Sequence, residues 1–80
     1  MPQLQAGRVV RSRAGRDRDG FFVIIRLEGD FAWLCDGKRR PLTRPKKKRL
    51  RHLQATDGFI GIDAIRSDKQ LRELLGGLRA

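Results

Sequence analysis

The chain has 80 residues, 19 of them Lys or Arg against nine Asp or Glu, for a formal charge of +10. That length allows one domain with one small core, burying roughly 60% of the surface the unfolded chain exposes, and it excludes a catalytic cleft between two lobes. The charge excess favours a polyanionic partner, the single cysteine excludes an internal disulfide or a multi-thiolate zinc site, and no apolar run approaches the ~20 residues of a membrane helix.

Residues 1–5 lack the charged-then-apolar pattern of a signal peptide, so a cytoplasmic location is the default expectation. Val9 and Val10, flanked by Arg8 and Arg11, read as a first short strand. The polar segment 14–20 follows, with Gly15 and Asp19-Gly20 as turn signals. Residues 21–27 are aromatic and β-branched and short, which favours a strand over a helix. At period two, Phe21, Val23, Ile25 and Leu27 share one face. Residues 28–30 read as a hairpin connection, residues 31–35 as the next strand, and Asp36-Gly37 as a second two-residue hairpin.

Pro41 and Pro45 restrict the next stretch to edge strand or loop. Residues 38–42 are expected to return alongside the preceding strand, and residues 50–53 to form one last short strand. Leu50 and Leu53 do not share a face at period two. Further on, Ser67 and Gln70 have the spacing of a capping box. Leu71, Leu74, Leu75 and Leu78 follow at helical spacing, and Gly76-Gly77 is expected to stop or fray the helix. The leucine stripe reads as a packing face, with an assembly interface as the alternative. Several short strands with frequent turn signals suggest a small barrel or sandwich. The division expected is a barrel over residues 1–54 with a basic arm at 38–52, then an extension over 55–80 with a helix at about 67–76.

The strongest functional signal is the basic run. No acidic residue falls between Gly37 and Thr56, and nine cations do: Lys38, Arg39, Arg40, Arg44, Lys46, Lys47, Lys48, Arg49 and Arg51. Neutralising phosphates with such side chains releases condensed counterions, which drives nucleic-acid binding and makes it salt-sensitive. By itself the run fits a solvated loop or a targeting tag as well. A second cluster, Arg11, Arg13, Arg16 and Arg18 around Gly15, suits phosphate forks and base stacking, with Asp17 and Asp19 either orienting or diluting it. The aromatics Phe21, Phe22, Phe31, Trp33 and Phe59 are expected in the core, with Phe22 as the first candidate for exposure. His52, the sole histidine, joins the basic arm. A Cys35–His52 pair has no third group to orient it and no oxyanion hole by motif, so no enzyme, metal or cofactor is expected.

Residues 7–17 (GRVVRSRAGRD) and 21–24 (FFVI) resemble a KOW motif. Residues 36–42 (DGKRRPL), 45–48 (PKKK) and His52-Leu53 continue the likeness to one subgroup. That subgroup is the short bacterial KOW-domain RNA-binding proteins, akin to an archaeal and eukaryotic large-subunit ribosomal protein. The likeness covers about residues 6–54 and departs at Asp19-Gly20, where the subgroup places a glycine and then a basic residue. It implies a mainly β fold, a small SH3-like barrel of about five strands, whereas the short C-terminal helix expected beyond it rests on the cap and the leucine spacing alone. It also implies contact with RNA, ribosomal RNA above all. Residues 12–18 would form the KOW loop and residues 45–52 the basic arm. The expected contacts are then Arg13, Gly15, Arg16 and Arg18, with Lys38, Arg39, Arg40, Arg44, Lys46, Lys47, Lys48, Arg49, Arg51 and His52. The alternative partner is the transcription machinery, since KOW-like barrels also resemble protein-binding modules of elongation factors.

Overall fold

The computed structural model describes residues 2–79, and side chains through residue 77. Five strands form one antiparallel sheet: β1 (Arg8–Ser12), β2 (Phe21–Glu28), β3 (Phe31–Cys35), β4 (Lys46–Arg49) and β5 (Leu53–Phe59). The helix α1 (Asp68–Arg79) follows. The strand order is β4-β3-β2-β1-β5, so the chain is mainly β with a small barrel-like fold and a single C-terminal helix, as the sequence led us to expect.

The sheet is buried on both faces, which explains the unbroken apolar run of β2. On the inner face Val10, Phe22, Ile24, Ala32, Leu34 and Leu53 form one cluster, with Leu4 and Leu50 packed against it. Strands β1, β2, β3 and β5 all contribute to it, so the sheet curls around its own side chains. On the outer face Val9, Val23, Cys35 and Ile60 pack with Leu71 and Leu75 of α1. The leucine stripe is therefore a packing face at Leu71 and Leu75, while Leu74 is exposed and the side chain of Leu78 lies outside the described residues.

Several local expectations are corrected. The single apolar face of residues 21–27 is broken by a bulge between Ile24 and Arg26. Beyond it Arg26 pairs with Trp33 on the outer face, and Leu27 pairs with Ala32 on the inner one. Asp36-Gly37 is not a two-residue hairpin, and residues 38–42 form no strand. One oxygen of the Asp36 carboxylate accepts the amide N–H groups of Lys38 and Arg40, both at 2.9 Å. Those donors are satisfied locally and cannot join a ladder. The return strand instead starts after Pro45.

Residues 50–52 form a 3₁₀ turn, not a strand. Leu50 and Leu53 are three residues apart, which is one turn of such a helix, and both meet the inner core. The sheet does not end at residue 54: β5 runs to Phe59 along β1, so the boundary expected there falls inside a strand. Ser67 caps α1 as expected, its hydroxyl accepting the Gln70 amide at 3.1 Å, but Gln70 reaches back to the Arg66 amide at 2.6 Å. Gly76 and Gly77 do not stop the helix, which continues to Arg79. Glycine keeps its N–H, so the ladder persists there at an entropic cost.

The helix also reaches the connection between β3 and β4. The Asp68 carboxylate accepts the Leu42 amide at 2.8 Å, and Arg72 donates to the Gly37 carbonyl at 2.6 Å. Gly37 has φ +79, and a Cβ there would collide with the Asp68 carbonyl oxygen.

Candidate nucleic-acid interface

The β1–β2 connection contains a short 3₁₀ turn, Gly15–Asp17, opened by Gly15 at φ +74. The turn directs Asp17 inward, where its side chain is only 3% exposed. A carboxylate at such depth needs partners. Arg40 supplies a two-pronged contact, Nε to Oδ1 at 3.2 Å and Nη2 to Oδ2 at 3.0 Å. Lys48 adds its ammonium at 3.5 Å from Oδ2 and donates to the Ala14 carbonyl at 2.8 Å. Burial alone would raise the Asp17 pKa, but the hydrogen bonds and charges of Arg40 and Lys48 outweigh it and hold the carboxyl below its ordinary 3.8. Asp17 thus ties the arginine-rich turn to both the β3–β4 connection and β4.

That tie brings the two basic segments together. Arg39 donates to the Arg16 carbonyl at 3.2 Å. Arg16, Arg18, Lys38 and Arg39 line a cleft of about 280 Å3. Lys38 and Arg39 also line a neighbouring cleft of about 410 Å3, with Arg40, Arg44 and Lys46. Arg18 lines a third cleft with Arg11, Arg13 and Asp19. The shared residues make these clefts one basic rim at the end of the barrel.

The remaining expected residues divide. Arg40 and Lys48 are held by Asp17, so they shape the rim more than they offer charge to a ligand. Lys47 and Arg49 alternate with Lys46 and Lys48 along β4, and their register places them on the outer face of the sheet, away from the rim. Arg51 is exposed on the 3₁₀ turn and His52 is half-buried, its carbonyl accepting the Arg13 amide at 2.8 Å. The amides of Arg18, Asp19 and Gly20 are bonded within the turn, so those three are not available to hold a phosphate. Gly15 sets the turn's conformation.

Asp19 takes φ +68, the left-handed conformation that glycine adopts most easily. Its carboxylate pairs with Arg11 at 2.5 Å. Gly20 is needed for a different reason: a Cβ there would stand 2.9 Å from the Phe22 ring. Phe22, the aromatic expected to be exposed, is only 2% exposed, whereas Phe59 is 53% exposed. Cys35 is buried, with its S–H directed at the Pro41 carbonyl at 3.5 Å. Burial, with the Asp68 and Asp36 carboxylates, pushes its thiol up to about 11, which removes thiolate character at neutral pH.

Sequence reasoning missed Asp17 as the residue that joins the two segments. Its signal was present, a lone acid between Arg16 and Arg18, but its partners lie 23 and 31 residues away. Sequence reasoning also missed Arg26, which reaches Trp33 only because of the bulge. Among the described residues no group of three or more His, Cys, Asp or Glu could hold a metal ion, and no helix is long and apolar enough to cross a membrane. Compared with known proteins, the chain matches no family model and no curated sequence.

Proposed function

We propose that this protein is an RNA-binding module of the KOW kind that docks on structured RNA, ribosomal RNA foremost, through its phosphates. The observation that carries the reading is the basic rim: two cationic segments far apart in sequence share clefts because Asp17 joins them. Arg16, Arg18, Lys38 and Arg39 take neighbouring phosphates, with Arg13, Arg44 and Lys46 extending the contact. Cations carried on a folded turn lose less backbone freedom on binding than those of a flexible tail. Duplex RNA is read largely by shape and backbone, so the expected sequence selectivity is low.

The test is the affinity for a hairpin RNA measured across a salt series. For the protein, log K falls linearly with log salt. The variant carrying Arg16→Ala, Arg18→Ala, Lys38→Ala and Arg39→Ala binds more weakly, and its slope is shallower by roughly 0.7–0.9 for each phosphate it no longer neutralises. A salt-independent affinity, or a slope unchanged in the variant, overturns the reading.

A further inference from the structure

A second set of cations lies away from the rim. On the outer face of the sheet, beyond the part covered by α1, Phe31 and Trp33 stand two residues apart on β3. Neither belongs to either core cluster. Arg26 lies over the Trp33 ring at 5.1 Å, Lys47 over Phe31 at 4.6 Å and over Trp33 at 5.7 Å, and Arg49 over Phe31 at 4.8 Å. Glu28 is the one acid in the group, 3.3 Å from Lys47 and 3.7 Å from Arg26. The Trp33 indole N–H is buried with no acceptor among the described residues.

The geometry points to a stacking platform for unpaired nucleotides of single-stranded RNA, an inference that rests on the RNA reading above. Two flat rings on one strand offer two base-stacking sites, and three cations beside them offer two or three phosphate contacts. Binding requires the cations to lift off the rings onto phosphates. Each ring carries two cations, worth together about four- to twenty-fivefold in an equilibrium, whereas a base stacked on the ring is worth about five- to one hundredfold and the freed cations gain phosphates in exchange. The exchange therefore favours the bound nucleotide. The platform and the rim lie on opposite faces of the sheet and share the edge strand β4, which carries Lys46 toward the rim and Lys47 and Arg49 toward the platform. A hairpin or junction with a single-stranded flank fits both, the duplex on the rim and the flank on the platform.

Trp33 is the only tryptophan and the chain has no tyrosine, so intrinsic fluorescence reports this site alone. The experiment titrates the full chain with a single-stranded oligouridylate of about ten nucleotides, with a blunt RNA duplex of about 16 base pairs, and with oligoglutamate. Affinities are measured in parallel by anisotropy of labelled RNA. The oligouridylate is expected to quench Trp33, and the duplex to bind without quenching. Phe31→Leu is expected to weaken the single strand about tenfold while leaving duplex affinity unchanged. Because quenching is read on the unaltered protein, the test does not depend on the variant folding. Duplex binding with neither quenching by the single strand nor sensitivity to Phe31→Leu overturns the platform and leaves the rim standing. Equal quenching by oligoglutamate or duplex also overturns it, since charge without stacking would explain the signal. Failure of both RNAs to bind overturns the two readings together.

Discussion

Asp17 shows how a single side chain can decide what a basic sequence does. Nine cations crowd residues 38–51, yet two of them, Arg40 and Lys48, converge on this one buried carboxylate. Removing one partner of a buried charge pair leaves the others uncompensated. Asp17→Asn should therefore destabilise the fold by about 3 kcal/mol, measured by urea unfolding at neutral pH. The pH dependence has a definite sign. A carboxyl whose pKa is lowered in the folded state contributes stability above its unfolded value, near 3.8. That contribution disappears as pH falls through the lower folded value. The loss of stability below about pH 4 should be smaller in Asp17→Asn than in the unaltered protein. An equal acid limb in both would mean that other carboxyls dominate acid unfolding. The arginines at 13, 16 and 18 were legible as a cluster and Asp17 as a residue that could orient them, but its true partners, Arg40 and Lys48, were not, because they are distant in sequence.

Among the elements, β4 departs furthest from what its own residues announce. A strand of four consecutive cations has no apolar face, so nothing in its pattern marks it as sheet. It pairs because β3 supplies the ladder and because Phe31 and Trp33 lie under two of its side chains. Its charge also suits an edge, since lysines on an open strand oppose pairing with another chain. The helix was readable from its cap and leucine spacing, whereas its grip on the β3–β4 connection was not. That grip runs through Gly37, which lies against Asp68 and accepts from Arg72. Gly37→Ala combines a left-handed backbone with a steric collision, and should cost about 2–3 kcal/mol. Differential scanning calorimetry measures it. A loss no larger than that of Gly29→Ala, where the backbone is also left-handed but the space is open, would show that the contact with α1 contributes nothing.

For the whole molecule, the question is how 80 residues with a charge of +10 stay folded. The answer lies in the two-sided sheet: the inner cluster closes the barrel, and the outer one is completed by α1. A barrel without its helix would expose Val9, Val23 and Cys35, all of them no more than 2% exposed when α1 is in place. A chain ending at residue 65 should therefore lose cooperative unfolding, as followed by far-ultraviolet circular dichroism against temperature. A sharp transition at the same midpoint as the full chain would make the helix an accessory. The extension after residue 54 is thus part of one domain: its first residues complete β5, and Leu71 and Leu75 cover the sheet.

The sequence by itself determined the first three strands, the cap of the helix and the presence of two cationic segments, because those depend on side-chain type, period and near neighbours. Val9-Val10, the run 21–25 and Ser67 with Gln70 all act over distances of a few residues. Only the tertiary structure decided which cations are tied down and which are presented. Burial of Asp17 commits Arg40 and Lys48. The alternation of β4 sends Lys46 to the rim and Lys47 to the aromatic strip. The bulge at Ile24/Arg26 turns Arg26 onto Trp33. The basic run at residues 38–51 becomes two surfaces and one buried tie once folded, since the face a side chain occupies is set by register across strands that composition does not encode.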